Sequence, residues 1–290
     1  MGIFSNLNKI LKSTHLHNQK KIRRDRYDEI KKKRKYQVLA EGDSWFNFPS
    51  NGKEDIVFFL TSKSNNCAVY SFADHGDTIA EMIGQIKKQK EKWEKRIDKD
   101  DVDCIILSGG GNDLFDINEG QTESAFARIL RPAPSGADKK EWTSCINQTQ
   151  LQNVLKEIKE SYKKIFAEIQ SMSADPLPIF IHGYAYPVPT GKGYVAKVSD
   201  LVTIKKGEGW IKPVFDGKGY EKKPRRMEAI LNKILGDFNT MLQGLAQGKV
   251  FYVDVRPLVD SEDWRDEFHL KPSACKKVAQ ELADSIKANV

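Results

Sequence analysis

Five short apolar runs, separated by segments of helical periodicity, limit more than any other feature what this chain can fold into. The runs are residues 36–40, 67–73, 102–108, 178–182 and 249–255. Their length and their content of β-branched and aromatic residues are typical of buried strands. Strands that alternate with helices form a parallel sheet with right-handed crossovers. The sequence therefore predicts an α/β domain with a five-stranded parallel sheet.

Helical spacing of apolar residues marks most of the chain between these runs. We predict helices at residues 55–62, 78–93, 151–172, 227–245 and 272–288. Two long segments, 115–150 and 183–223, interrupt the alternation and are rich in Gly, Pro, charged and aromatic residues. Loops of this length in a compact domain are typically functional lids or disordered surface. We therefore predict one domain over residues 37–290 that carries two insertions.

The composition indicates a globular protein and excludes several other classes. Hydrophobic residues make up 39% of the 290-residue chain, and no apolar stretch approaches the roughly 18 residues that a membrane span requires. The start of the chain lacks the apolar core of a secretory signal, and Asn6 breaks the pattern for myristoylation. The four cysteines form no C-x-x-C pair, which favours free thiols in a reducing cytosol. We expect a cytoplasmic protein.

The positive charge is concentrated in residues 1–36. They hold 12 Lys and Arg against 3 Asp and Glu, a net charge of +9, whereas the whole chain carries +7 and the remainder therefore −2. One helical face of this segment carries Ile3, Phe4, Leu7, Ile10 and Leu11. An apolar face followed by Lys and Arg is typical of a helix that binds anionic lipid at a membrane surface. We predict a basic, partly amphipathic N-terminal extension, peripheral on the inner face of a membrane, with a solvated tail as the alternative.

Polar residues and a glycine follow the predicted strands at the point where each strand ends. Ser44 follows the first strand, Gly76 the second and Asn112 the third. His269 comes shortly after the fifth, with Asp266 three residues before it. The carboxyl ends of parallel strands meet at one edge of a sheet, where open α/β folds bind ligands. Acyl transfer needs a hydroxyl nucleophile, a base with an orienting carboxylate, and N–H donors for the oxyanion, so this set favours that chemistry.

Four short motifs resemble, in their order and content, those of the SGNH hydrolases, the GDSL esterase and lipase superfamily. They are Gly42-Asp43-Ser44, Gly76-Asp77-Thr78, Gly110-Gly111-Asn112-Asp113 and Asp266-x-x-His269. The resemblance spans residues 42–269, most of the chain. It implies a flavodoxin-like three-layer α/β/α sandwich and the hydrolysis of esters without a metal or another cofactor.

The resemblance also implies roles for single residues. Ser44 would be the nucleophile, His269 the base and Asp266 the carboxylate that orients it. The backbone N–H groups of Ser44 and Gly76 and the side chain of Asn112 would form the oxyanion hole. The sequence departs from the family at two positions: Trp45 follows the serine in place of Leu, and His75 precedes the glycine where a small residue is more familiar.

Each site residue also has a plainer interpretation. Ser44 and the glycines suit tight turns, Asn112 suits a bond to backbone, and we expect Asp43 to stabilise a turn. The other histidines are His15, His17, His75 and His182. Among all five, His269 alone has an Asp at the family's spacing, although Asp263 competes with Asp266 for that role.

We interpret the chain as a serine esterase or lipase that hydrolyses an acyl ester. The extension and the aromatic insertions favour a lipid or phospholipid ester. Alternatives of the same fold are a carbohydrate O-deacetylase and a thioesterase. An alternative of another class is a membrane- or nucleic-acid-binding adaptor on an inactive hydrolase scaffold, but the basic segment lacks any nucleic-acid-reading motif, so nucleic acid is not an expected partner.

Overall fold

The predicted strands form one sheet. The computed structural model describes residues 21–48, 54–117, 120–134, 142–199, 202–205 and 207–290. Its strands are β1 (Tyr36–Gly42), β2 (Cys67–Ser71), β3 (Cys104–Ser108), β4 (Ile179–His182), β5 (Val195–Ser199), β6 (Val202–Lys205) and β7 (Val250–Val253). The order across the main sheet is β2-β1-β3-β4-β7, and every pairing in it is parallel. The predicted five-stranded parallel sheet of an α/β sandwich is confirmed.

Helices follow the strands along the chain. They are α1 (residues 21–30), α2 (Ile56–Leu60), α3 (Ile79–Lys88), α4 (Lys90–Asp100), α5 (Gly111–Phe115), α6 (Ala125–Ile129), α7 (Gln148–Gln170), α8 (Lys212–Gly217), α9 (Pro224–Gln243) and α10 (Pro272–Asn289). Within the described ranges, no helix is long and apolar enough to cross a membrane. The four cysteines are buried and unbridged.

Both faces of the sheet are covered. Every residue of β2, β3 and β4 is buried, as are the consecutive residues Val38, Leu39 and Ala40 of β1. Because successive side chains of a strand point to opposite faces, a run of buried residues requires packing on both sides. This is why the strands are continuous apolar runs in the sequence rather than alternating ones.

The helix predicted over residues 78–93 is two helices. Thr78 caps the start of α3 in a capping box. Its side chain accepts the backbone N–H of Glu81, and the side chain of Glu81 accepts the backbone N–H of Thr78. The chain turns at Gln89, whose N–H donates to two carbonyls at the end of α3. The turn lets α4 place Trp93 in the core, where its ring stacks on Phe72 at 4.5 Å between centroids. Helical spacing alone does not reveal such a change of direction, because Trp93 keeps the same apolar character in either geometry.

The two insertions contain structure that the sequence analysis did not predict. In the described parts of residues 115–150, α6 is followed by a β-bridge between Leu130 and Ile146. In residues 183–223, β5 and β6 pair as an antiparallel hairpin, and α8 follows it. The hairpin therefore forms a second, two-stranded sheet beside the main one.

Part of the basic N-terminal segment packs on the rest of the protein. Tyr27 of α1 is 1% exposed and meets the ring of Tyr70 edge-on at 5.5 Å. Arg23 is buried, pairs with Asp55 and donates to the carbonyl of Phe46. The predicted apolar face formed by Ile3, Phe4, Leu7, Ile10 and Leu11 lies outside the described residues.

Candidate active site

The nucleophile candidate Ser44 lies in a tight turn at the end of β1. The N–H of Asp43 donates to the carbonyl of Ser108 on β3 at 3.1 Å, and the N–H of Phe46 donates back to the carbonyl of Asp43 at 3.1 Å. A side chain at Gly42 would place its Cβ 2.8 Å from the carbonyl oxygen of Ser108, so glycine is required for this close approach. The Gly-Asp-Ser sequence thus ends a buried strand in a turn that presents the Ser44 hydroxyl at the strand ends.

Ser44, His269 and Asp266 form one chain of hydrogen bonds. The Ser44 Oγ lies 3.0 Å from the His269 Nε2. The His269 Nδ1 lies 2.9 Å from each carboxylate oxygen of Asp266. All three residues are less than 9% exposed. Sequence reasoning had expected these residues to meet, and this geometry is the one in which a base can take a serine proton while a carboxylate fixes its tautomer.

The carboxylate of Asp266 is held in place from several sides. The backbone N–H groups of Phe268 and His269 each donate to its Oδ1 at 2.8 Å. Burial works to raise the pKa of Asp266, but the charge and hydrogen bond of His269, with these backbone donors, outweigh it and lower the pKa. Asp266 is therefore suited to face the imidazole as an ionised carboxylate.

The oxyanion-hole candidates follow three neighbouring strands: Ser44 lies in the turn after β1, Gly76 in the loop after β2, and Asn112 in α5 after β3. The Asn112 Nδ2 donates to the carbonyl of Asp77 at 2.9 Å, which fixes the carboxamide beside Gly76. An Asn side chain has two N–H donors, so one bond to backbone leaves the second for a ligand. Gly76 has φ of +84°, a conformation that favours glycine. Asn112 lines a small cavity together with Ser44 and His269.

The competing residues are placed in other roles. His182 is fully buried, and its Nδ1 lies 2.7 Å from the carbonyl of Gly183. Burial lowers the pKa of His182 to about 4, so this ring is neutral at physiological pH. Asp263 pairs with Lys277 at 2.8 Å rather than with His269. Of the described histidines, His269 is the one in contact with both Ser44 and a carboxylate.

Asp43 is the centre of a buried network of hydrogen bonds. Such a network suits the role in stabilising a turn that the sequence predicts for this residue. It accepts hydrogen bonds from the Trp45 N–H at 3.0 Å, from the Ser108 Oγ at 3.1 Å and from the Tyr184 hydroxyl. Burial raises the pKa of Asp43, while these donors act in the opposite direction. The Tyr184 oxygen also accepts the N–H of Gly111 at 3.1 Å, so it links the nucleophile turn to α5. Sequence reasoning missed Tyr184, whose only visible signal is a position two residues after β4.

Trp45, where the sequence departs from the family pattern, connects the turn that holds Ser44 to the segment that holds His269. Its indole Nε1 donates to the carbonyl of Phe268 at 2.9 Å. Its ring stacks on His182 and meets Tyr184 edge-on, with centroids 5.6 Å and 4.9 Å apart. A leucine would fill part of this space, but it has no donor for that carbonyl.

Aromatic side chains surround the catalytic histidine candidate. Phe48, Tyr194 and Trp210 lie with ring centroids 4.8, 6.0 and 5.6 Å from that of His269. Gly76 of the oxyanion-hole candidates lines a groove of about 460 Å³. Its polar lining consists of Thr78, Glu81, Asp113, Asp116, Gln121, Arg128, Glu157 and Ser161. Asp116 also lines the small cavity at Ser44, so the groove and the cavity adjoin.

Among the residues that the structure describes, no cluster of three or more His, Cys, Asp or Glu side chains could hold a metal ion. The groups that the site brings together are a serine hydroxyl, an imidazole, a carboxylate and N–H donors. Together they match the requirements of acyl transfer through a covalent serine intermediate.

Comparison with known proteins identifies one family and several solved structures that this chain is similar to. A model of the GDSL-like lipase/acylhydrolase family matches residues 40–282. No curated protein matches the chain in sequence. Solved structures that match include TesA, at 11% identity over 88% of this chain and 99% of TesA, with a TM-score of 0.45. The psychrotrophic esterase EstA from Pseudoalteromonas sp. matches at 12% identity over 88% of this chain and 98% of its own, with a TM-score of 0.43.

A family two carbohydrate esterase from Clostridium thermocellum also matches, at 10% identity over 88% of this chain and 64% of its own, with a TM-score of 0.46. The family model covers more than half of the chain. The protein belongs to the GDSL-like lipase/acylhydrolase family, and it is a hydrolase that acts on ester bonds.

Proposed function

We propose that this protein hydrolyses an acyl ester with Ser44 as nucleophile, His269 as general base and Asp266 as the carboxylate that orients it. The continuous hydrogen bonding from Ser44 Oγ through His269 to Asp266 carries this proposal. His269 accepts the Ser44 proton as the oxygen attacks the ester carbonyl, and it then donates that proton to the leaving alcohol. A water molecule, activated by the same imidazole, releases the acyl group from Ser44.

The oxyanion of the tetrahedral intermediate needs donors that are already in place. The N–H groups of Ser44 and Gly76 and the free N–H of Asn112 are the proposed donors. The bond from Asn112 to the Asp77 carbonyl supports this, because it fixes the carboxamide before any substrate binds.

Covalent labelling tests the triad without knowledge of the substrate. A fluorophosphonate should phosphonylate the wild-type protein at Ser44, as read by intact mass and peptide mapping. Ser44→Ala and His269→Ala should each abolish labelling, because nucleophile and base act as a unit. Ser64→Ala, at an exposed serine in a turn, is the matched control and should label like the wild type. Undiminished labelling of Ser44→Ala would reject the assignment.

The aromatic wall around His269 is consistent with the proposed lipid or phospholipid ester. Phe48, Tyr194 and Trp210 give an apolar boundary against which an acyl chain can pack. The basic N-terminal segment supplies the charge for binding to an anionic membrane surface.

The groove beside the site favours a second candidate, an ester of a polar alcohol such as an acetylated carbohydrate. The carboxylates of Asp116 and Glu157 and the guanidinium of Arg128 line this groove and can bond hydroxyl groups of a sugar, whereas an acyl chain has no polar group to offer them. Hydrolysis of acetylated oligosaccharides and of phospholipid vesicles, compared at equal enzyme concentration, separates the two candidates. Asp116→Asn should lower activity on the polar ester by raising KM, and a carbohydrate ester that is not turned over would reject this candidate.

A further inference from the structure

Glu267 lies between Asp266 and His269 in the sequence, but its side chain bonds the hairpin insertion and lines neither of the two cavities that contain Ser44. Its side chain is fully buried, at 0% exposure. The carboxylate accepts three backbone N–H groups: Gly191 at 2.7 Å and Lys212 at 3.0 Å on Oε1, and Ile211 at 2.8 Å on Oε2. A buried carboxylate is costly unless it is hydrogen-bonded in this way, so these bonds are needed for the observed packing.

The three donors belong to the two ends of the hairpin insertion. We define the arms of the hairpin as residues 191–194, before β5, and residues 207–212, after β6. The arms bond each other directly, the N–H of Gly209 donating to the carbonyl of Gly191 at 3.0 Å. The backbone N–H of Glu267 adds a bond to the carbonyl of Lys192 at 3.4 Å. Glu267 is thus bonded to both arms at once.

Gly209 shows how closely the second arm approaches this carboxylate. A Cβ on Gly209 would lie 2.0 Å from the Oε2 of Glu267 and 2.4 Å from its Cδ. Real Cβ atoms do not approach other atoms so closely, so any side chain at this position would displace the carboxylate or the arm. The glycine therefore permits the contact that the carboxylate makes.

Each arm carries one of the aromatic residues that lie against His269. Tyr194 is in the first arm and Trp210 in the second, and their rings stack on each other with centroids 6.1 Å apart. Both rings meet the imidazole of His269 edge-on. Trp210 also lines the small cavity that holds Ser44 and Asn112. The position of the arms therefore sets the shape of the space at the nucleophile.

We propose that Glu267 is a positioning residue that fixes both arms of the hairpin, so that Tyr194 and Trp210 bound the ester-binding space at Ser44 and hold the imidazole of His269 in place. This inference rests on the proposed roles of Ser44 and His269. Glu267 is the second residue of the Asp-x-x-His motif. The same four-residue segment would therefore orient the base and anchor the aromatic residues around that base.

A double-mutant cycle tests this role. Glu267→Gln keeps the side-chain size, but it replaces one acceptor oxygen by an NH₂ group that opposes a backbone N–H. It should lower both the rate of fluorophosphonate labelling and kcat/KM for a short p-nitrophenyl ester by about 10- to 100-fold, the effect of a shift of about 1 Å in a catalytic site. In a Trp210→Ala background the loss should be at least about 3-fold smaller, because only the part that acts through Tyr194 on the first arm remains.

Matched variants separate this role from a general loss of stability. Glu262→Gln, at an exposed glutamate five residues earlier, is the control and should label like the wild type. If Glu267→Gln does not fold by circular dichroism, Gly209→Ala takes its place in the same cycle. Equal losses in the presence and absence of Trp210 would overturn only the role of Glu267 and leave the proposed function standing. A lower melting temperature with an unchanged labelling rate would do the same. A wild-type protein that is not labelled at Ser44 would instead overturn the proposed function and this inference with it.

Discussion

The indole nitrogen of Trp45 donates to the carbonyl of Phe268 at 2.9 Å, which joins the residue after Ser44, the proposed nucleophile, to the residue before His269, the proposed base. The two residues are 223 positions apart in the sequence. This bond ties the turn that holds Ser44 to the segment that holds His269, whose Nε2 lies 3.0 Å from the Ser44 Oγ.

We expect Trp45→Phe to impair catalysis as well as folding. The substitution keeps an aromatic ring but leaves the buried Phe268 carbonyl without its donor, at a cost of about 1–3 kcal/mol. The labelling rate at Ser44 and kcat should fall about 10-fold, as the nucleophile turn moves relative to His269. The measurements are labelling kinetics and thermal unfolding.

Trp93→Phe is the matched control for this substitution. Trp93 is also fully buried, but its indole N–H has no hydrogen-bond partner among the described residues. Trp93→Phe should therefore lower the melting temperature without changing the rate of labelling at Ser44. A Trp45→Phe enzyme with the kinetics of the wild type would show that the bond to Phe268 does not position the triad.

Replacing Asn112 should separate substrate binding from chemistry. An oxyanion donor acts more strongly on the transition state than on the bound ester, so Asn112→Ala should lower kcat by about 10²–10³-fold with little change in KM. Steady-state kinetics on a soluble ester provide the measurement. If the carboxamide only holds the Asp77 carbonyl, the melting temperature will fall and kcat per folded molecule will stay the same.

The carboxyl group of Asp113, next to Asn112, should make stability depend on pH. Burial raises the pKa of Asp113 to about 6 from its ordinary value of 3.8. Between these values the unfolded chain loses this proton and the folded protein keeps it, so stability falls as the pH rises from about 4 to about 6. We expect this group to lower the free energy of unfolding by about 2 kcal/mol across that range.

Asp113→Asn removes the ionisation and keeps an oxygen that can accept the N–H of Ile79. The free energy of unfolding of the variant, relative to the wild type, should therefore rise from pH 4 to pH 6 and remain constant above it. Urea denaturation at several pH values measures the difference. A difference that does not change with pH would show that Asp113 titrates normally.

Much of the fold and all three residues of the proposed triad could be predicted from local patterns in the sequence. The strands are visible because burial on both faces requires continuous apolar runs, and Ser44 and His269 are visible because strand ends share one edge of the sheet. The hydrogen-bond partners of buried polar groups could not be predicted, because they depend on tertiary contacts that leave no local pattern in the sequence. Tyr184 bonds Asp43 across 141 residues, and Glu267 bonds backbone groups 55 to 76 residues away.

The contacts of Arg23, in the basic N-terminal segment, could not be predicted from the sequence either. Within a run of Lys and Arg its sequence context is that of a solvated surface, yet the side chain is 7% exposed and pairs with Asp55. The carboxylate of Asp55 in turn caps α2 by accepting the N–H of Phe58 at 3.0 Å. Charge patterning indicates where positive residues gather, but it does not indicate which of them meets a buried carboxylate.

Two N-terminal truncations should therefore give different results. Deleting residues 2–30 removes Arg23 and leaves the buried Asp55 carboxylate unpaired, which costs about 3–5 kcal/mol. It also removes the donor to the carbonyl of Phe46, two residues after Ser44. We expect a lower melting temperature and reduced hydrolysis of a soluble ester. Deleting residues 2–20 keeps these contacts and should leave both properties close to those of the full-length protein.

The shorter truncation isolates the proposed membrane role of the N-terminal segment. Residues 2–20 contain Lys9, Lys12 and Lys20, and each lysine near an anionic surface contributes about 1 kcal/mol to binding. Deleting residues 2–20 should therefore weaken binding to vesicles with anionic lipid by about 100-fold. Co-sedimentation with vesicles measures this, and binding of the full-length protein should also fall as salt screens the charges.

Replacing Lys9, Lys12 and Lys20 with Gln provides the matched variant that keeps the apolar residues of the segment. If charge dominates, this variant should bind anionic vesicles as weakly as the truncated protein, and none of the three proteins should bind vesicles of neutral lipid at high salt. If the apolar face contributes separately, the triple variant should bind more tightly than the truncation. Equal sedimentation of the full-length and truncated proteins with anionic vesicles would reject a membrane role for residues 2–20.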